Sequence, residues 1–514
     1  MRILMLGWEF PPFISGGLGT ACFGLTQALN ESGHRVMFVL PKAVDRDFTS
    51  HVDLISPHRS PAGADRGGRV SDFARLPESA KLIRKPLPDG STAEFLEYDL
   101  PGLGNVEFFG IPSSMVSSYG DGGPIDEQGV LHSADGRSLI SLGQLESIRK
   151  AGKRLDGDFQ VIEDAAYAEL RETLESVGLG VADLGDSAPG SSAGVDYGGD
   201  VISTSRDYAR LVLRLCRDLR YDVIHAHDWM TYPAGMALAR LTGKPLVAHI
   251  HSTEFDRSGE HVDQRIYDIE RRGMHAAVRV IAVSMLTKSI VARRYGVDPD
   301  RVRVVYNGVQ HHGLAPRPEA RISEKDKIVL FLGRITMQKG PEYFVRSAKR
   351  VLEKMDNVKF IVAGNGDLAR TMIEHAASLG IGHKVLFTGF LRGKDVERVF
   401  KMADCYVMPS VSEPFGIAPL EAMANDVPVI ISKQSGVSEV LSHALKVDFW
   451  DVNEMANKIL AVLRHPPLSA TLRQNHPFEL RKLTWEGAAE KVLSVYREAA
   501  DELAGMSRGF AHLH

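Results

Sequence analysis

Along the chain, short runs of β-branched and other apolar residues alternate with segments whose apolar positions recur every three or four residues. That is the pattern of parallel α/β sheets. In a first region RILML (residues 2–6) reads as a strand and GGLG (Gly16 to Gly19) as the turn after it. A helix follows, with Leu18, Ala21, Cys22, Leu25, Ala28 and Leu29 on one face, Gly33 as its cap, and VMFVL as the next strand. A helix from about Val201, with Tyr208, Leu211, Val212 and Leu215 on one face, leads into the further strands DVIHA, PLVAHI, VRVIAV and VRVVY.

A second region repeats the pattern with KIVLFLG, KFIVAG, KVLFTG, CYVMP and VPVII. Between the two lies HHGLAPRPEARISEK, polar and proline-bearing as a domain linker should be. From about Ser117 to Asp200 the signal weakens into Gly-, Ser- and Asp-rich stretches around one helical segment, EDAAYAELRETLESVG, which reads as an insertion. The last helix is TWEGAAEKVLSVYREAADEL. The expected fold is therefore α/β, with two Rossmann-like doubly wound domains facing a central cleft. Its expected divisions are residues 1–308, residues 309–483, and a closing helix at 484–514 that returns to the first domain.

Composition changes this picture little. A chain of 514 residues exceeds one hydrophobic core, and 44% hydrophobic with 25% charged residues is ordinary for a globular protein. A formal net charge of −4 gives no reason to expect nucleic acid as a partner. Three scattered cysteines, Cys22, Cys216 and Cys405, argue against a disulfide framework or a structural zinc site. MRILMLGWEFPP is too short in its apolar run for a signal peptide, and no segment reads as a transmembrane span, so a cytoplasmic location is expected.

Candidate chemistry gathers where strands end. Gly16 and Gly17 stand between a strand and a helix, where bare backbone can approach an anion. The spacing is not G-x-G-x-x-G, which disfavours a nicotinamide-dependent dehydrogenase. In GRITMQKG, Arg334 and Lys339 follow the first strand of the second region and can neutralise a diphosphate. In SEPFGIAPLE, Glu413 falls in the turn after CYVMP and Glu421 in the first turn of the next helix. Phe415 and the backbone N–H groups of Gly416, Ile417 and Ala418 lie between them. Asp228 in HAHDW and His251 in AHIHS close two strands of the first region. The H-x-H pairs His225/His227 and His249/His251 admit a metal hydrolase, but hydrogen-bonded core histidines are the commoner meaning of such pairs.

Together GGLG, HDW, GRITMQKG and the E-x7-E pair resemble the retaining nucleotide-sugar glycosyltransferases of the GT-B fold, and WEFPPFISGGLG with HAHDW resembles the glycogen and starch synthases among them. The resemblance covers residues 1–41 and 201–497 and implies a nucleotide diphosphate sugar as donor, with no metal and no other cofactor. It implies that Arg334 and Lys339 stabilise the leaving diphosphate, that Glu413 holds the donor sugar and Glu421 the ribose, and that Gly389, Phe390 and Leu391 hold the base. Gly17 would offer its N–H to the diphosphate, and His251 and Asp228 would line the sugar and acceptor side. One departure is Ile14, where the ADP-glucose-using synthases of the family carry lysine; another is Glu421, which those enzymes lack. The implied reaction is transfer of a hexosyl group, glucose first, to an α-glucan or related carbohydrate acceptor. The alternatives are a lipid, polysaccharide or small-molecule acceptor, a sugar-nucleotide epimerase, or a binding protein that has kept the pocket.

Overall fold

The computed structural model describes residues 1–10, 17–40, 81–86, 92–97, 106–110, 130–132, 138–141, 197–309, 326–391 and 393–511. The expected linker at 311–325, the expected helix at 163–178 and Gly16 lie outside these residues. The first strands are β1 (Arg2–Leu6), β2 (Arg35–Leu40), β3 (Lys81–Pro86), β4 (Thr92–Glu97), β5 (Val106–Gly110), β6 (Val130–His132) and β7 (Ser138–Ser141). They are followed by β8 (Val223–His227), β9 (Leu246–Ile250), β10 (Arg279–Ala282) and β11 (Val302–Val304). One seven-stranded sheet has the order β11-β10-β9-β8-β1-β2-β5, and β3–β4 and β6–β7 form two small separate sheets. β1 is paired in parallel on both sides, Ile3 opposite Val36 of β2 and opposite Val223 of β8.

The second sheet is built from β12 (Lys327–Leu332), β13 (Val358–Ala363), β14 (Val385–Gly389), β15 (Cys405–Met408), β16 (Val429–Ser432) and β17 (Leu445–Val447). Its order is β14-β13-β12-β15-β16-β17, all parallel. Alternation along β12 explains why both faces are covered. Val329 and Phe331 join a core with Phe344, Val351 and Phe360, whereas Ile328 and Leu330 join one with Tyr406, Leu420 and Met423. A strand apolar on both sides must be sandwiched between helices.

Packing divides the chain into two compact units, one of Met1–His249, Asp263–Val280 and Ser494–His514, the other of Ile250–Val262 and Ile281–Leu493. The segment after β9, which begins at Ile250 and carries His251, thus packs with the second unit. Its helix Glu254–Ser258 lies on the turn Met337–Lys339, and the Phe255 ring meets Tyr295 edge-on at 5.7 Å. Among the described residues no helix is long and apolar enough to cross a membrane.

Candidate active site

In the second sheet β12 and β15 are neighbours, while the chain leaves them in opposite directions, toward β13 and toward β16. Crevices at the carboxyl ends of such strands are where doubly wound sheets bind ligands. The loop after β12 holds Arg334 and Lys339; the loop after β15 holds Ser410, Ser412 and Glu413. Glycine brings them together. Gly340 sits at φ 65°, and a Cβ there would lie 2.1 Å from the Pro409 carbonyl oxygen. Gly364, at φ 142°, likewise leaves room for the Gly333 carbonyl, which a Cβ would approach to 1.9 Å. No other residue allows both the conformation and the contact.

The Lys339 ammonium donates to Glu413 Oε2 at 2.6 Å, and the Ser410 hydroxyl donates to the same oxygen at 3.1 Å. Glu413 is only 7% exposed, and its backbone is stitched on both sides: its N–H donates to the Gln434 carbonyl at 3.0 Å, and Gly436 N–H donates to its carbonyl at 2.9 Å. Beyond it Phe415 is buried, and Gly416 takes φ 102° against Met408. The helix Ala418–Ala424 then starts with proline in its first turn and Glu421 after it, as the sequence suggests. The N–H groups of Gly416, Ile417 and Ala418 have no acceptor among the described residues, as is usual at a helix start. Burial pushes the Glu421 carboxyl up to about 7. The Tyr406 hydroxyl is pushed well up, first by burial and then by Glu413 and Glu421, which places the phenol near both carboxylates. Arg334 is partly buried at the end of β12.

Further along the same edge, Gly389 ends β14 at φ 73° and accepts from Gly364 N–H at 2.9 Å. Phe390 beside it is 51% exposed, and Leu391 is partly buried. His251 shares this unit. Desolvation lowers its imidazole to about 3, so it is neutral at any working pH.

In the first unit β1 lies between β2 and β8 and is the equivalent switch point. Gly17 opens the helix Gly17–Glu31 and is exposed, and a Cβ there would meet nothing within 4 Å. Asp228 follows β8 at φ 58°, an unusual conformation for a side-chain-bearing residue, and is 6% exposed. Its N–H donates to the His249 carbonyl at 2.9 Å. The Cys22 thiol is pushed up by burial, then by Glu9 and Asp228, so both carboxylates lie near that helix. His225, His227 and His249 gather their ligand-capable atoms within 4.8 Å of one another. His225 already has both ring nitrogens engaged, Nδ1 with the Tyr496 hydroxyl at 2.5 Å and Nε2 with His249 Nδ1 at 3.0 Å. His225 and His249 are thus hydrogen-bonded to each other in the buried core, with the His227 ring stacked on His225 at 4.2 Å.

Sequence reasoning passed over Glu9, Ser410, Ser412, Asp256 and the close-approach glycines Gly340 and Gly364. The G-N-G run after β13, Gly364 to Gly366, is the one readable sign among them, since glycines after a strand signal close backbone approach.

A family model for glycosyl transferases group 1 matches residues 315–477, one for glycosyltransferase family 4 matches 198–312, and one for the starch synthase catalytic domain matches 2–65. An uncharacterised glycosyltransferase of Methanocaldococcus jannaschii is 33% identical over 300 residues, 55% of this chain and 76% of its own. The chain belongs to the glycosyltransferases. The D-inositol 3-phosphate glycosyltransferase of Corynebacterium diphtheriae is 27% identical over 55% of this chain and 72% of its own. The glycosyltransferase shares its fold with sucrose-phosphate synthase from Thermosynechococcus elongatus, at a TM-score of 0.63 and 18% identity over 97% of this chain and 98% of the other. Its architecture is the GT-B one.

Proposed function

We propose that this glycosyltransferase moves a hexosyl group, glucose in the first instance, from a nucleotide diphosphate sugar to an α-glucan or related carbohydrate, with retention and without a metal ion. The observation that carries this reading is the Lys339–Glu413 pair at the carboxyl ends of β12 and β15. A cation held there by a buried carboxylate is positioned before any donor arrives, so stabilising charge on a departing diphosphate needs little reorganisation. Arg334 adds a second cation on the same loop. Glu413 and Glu421 serve the donor sugar and ribose, the Gly389–Leu391 segment the base, and the N–H groups at 416–418 the phosphates. Gly17 and Asp228 in the first unit, and His251, take the diphosphate, sugar and acceptor roles.

The starch synthase match at residues 2–65 supports a glucan acceptor. A second reading, a small phosphorylated acceptor, is favoured by relatives named for inositol 3-phosphate and for mannosylfructose-phosphate synthesis. Both are tested by nucleotide release from UDP-, ADP- and GDP-glucose and GDP-mannose. The acceptors are a glycogen primer, inositol phosphate, fructose 6-phosphate or none, with Glu413→Gln as control. Acceptor-dependent release of one nucleotide, lost in the variant, supports transfer and names the acceptor class. A changed donor sugar without any acceptor would instead mark an epimerase, and full transfer by Glu413→Gln would overturn the assignment of the site.

A further inference from the structure

We infer that Asp256 is a positioning residue for Glu413, acting through Ser412; this rests on the transfer reading above. Asp256 is 2% exposed, and its two carboxylate oxygens are given different tasks. Oδ2 accepts from Thr253 N–H at 2.8 Å and from the Thr253 hydroxyl at 2.7 Å, closing the capping box of the short helix Glu254–Ser258. Oδ1 accepts from the Ser412 hydroxyl at 2.6 Å. Ser412 immediately precedes Glu413, whose own carboxylate meets Lys339 and Ser410.

One buried carboxylate therefore ties the segment that carries His251 to the loop that carries Glu413. The helix is also braced within itself. Arg257 Nε donates to Glu254 at 3.0 Å and its Nη1 to the Ser252 carbonyl at 3.2 Å, while the Ser258 hydroxyl donates to Glu254 at 2.6 Å. A braced helix offering one remaining charged acceptor fixes the Ser412 hydroxyl in direction and distance. A charged acceptor makes that bond stronger and more directional than a neutral one. Its consequence is the placement of the next side chain, Glu413.

Ser412→Ala removes only this link and leaves the capping box intact. The expected result is a kcat lowered about tenfold with donor KM within about twofold, because misplacing a group costs turnover more than binding. Asp256→Asn can keep Oδ1 on Thr253 and donate from Nδ2 to Ser412, so it loses less than Ser412→Ala. Hydrogen exchange supplies a readout that needs no turnover. In Ser412→Ala the amides of Glu413 and Gly436 exchange faster while the core strands keep wild-type protection. If Glu413→Gln abolishes transfer but Ser412→Ala turns over like the wild type, the inference is wrong and the transfer reading stands. If the wild type transfers nothing, the transfer reading fails, and unchanged protection at Glu413 and Gly436 in Ser412→Ala overturns the positioning role on its own.

Discussion

Replacing Glu421 by glutamine should favour the folded protein more in alkaline solution than in acid. Burial raises this carboxyl from its ordinary 4.5 to about 7, so the folded chain holds a proton that the unfolded chain has released between those values. Stability contributed by the protonated group is present below pH 4.5 and is lost as pH rises through about 7. At about 1.36 kcal/mol per unit, the full cost of ionising it in place is about 3 kcal/mol. Integrated, the cost is about 1 kcal/mol at pH 5 and about 3 kcal/mol at pH 8. Glutamine has no such term, so the gain from Glu421→Gln at pH 8 exceeds that at pH 5 by about 2 kcal/mol. Whatever else the amide does is the same at both pH values and drops out of the difference. Urea unfolding of both proteins at pH 5, 6, 7 and 8 measures it, using the transition of the unit that contains Glu421. A difference flat with pH to within about 0.5 kcal/mol, or one growing toward acid, would refute the burial argument.

His251 runs the other way: desolvation lowers it to about 3, so the unfolded chain takes up a proton first as pH falls below 6.5. His251→Gln should remove about 3 kcal/mol of acid destabilisation at pH 4.5, seen as a shallower fall in midpoint between pH 6.5 and 4.5. Lys339→Met should destabilise by about 3–5 kcal/mol by stranding the buried Glu413 carboxylate, and more than Glu413→Gln, which keeps acceptors for Lys339 and Ser410; denaturant midpoints decide the order. Gly364→Ala should lose more stability than Gly380→Ala, because a Cβ at 364 would lie 1.9 Å from a backbone oxygen, whereas at 380 it meets nothing within 4 Å. Equal losses would mean that conformation alone, and not the Gly333 contact, sets the cost.

Strands apolar on both faces could be read from the chain because their apolar runs are short, rich in β-branched residues and closed by glycine or proline. β12, with Val329 and Phe331 on one side and Ile328 and Leu330 on the other, is an example. β17 has no such signal, since three residues, Leu-Lys-Val, carry no period, and only its pairing with Ile430, Ile431 and Ser432 makes it a strand. The places of Lys339, Glu413 and Glu421 could be read for a different reason: each follows a strand or opens a helix, and those boundaries are marked by glycine and proline in the local sequence. Their partners could not. Ser412 and Asp256 are 156 residues apart, and neither residue type is unusual where it stands.

This difference follows from what each residue does. A group that meets a ligand must be of one chemical kind and must stand at a predictable edge of the sheet, so local pattern is enough to find it. A group that positions another need only be a hydrogen-bonding residue brought within reach by the fold. In this chain the reach comes from Ile250–Val262, which follows a strand read as part of the first domain yet packs with the second unit. The Asp256–Ser412 bond exists only because of that packing. It follows that substitutions which loosen the 250–262 segment without touching Asp256 should reproduce its effect. Phe255→Ala, which removes the edge-on contact with Tyr295, should lower kcat with little change in donor KM. A wild-type kcat in Phe255→Ala alongside a lowered one in Ser412→Ala would confine the positioning role to the hydrogen bond itself.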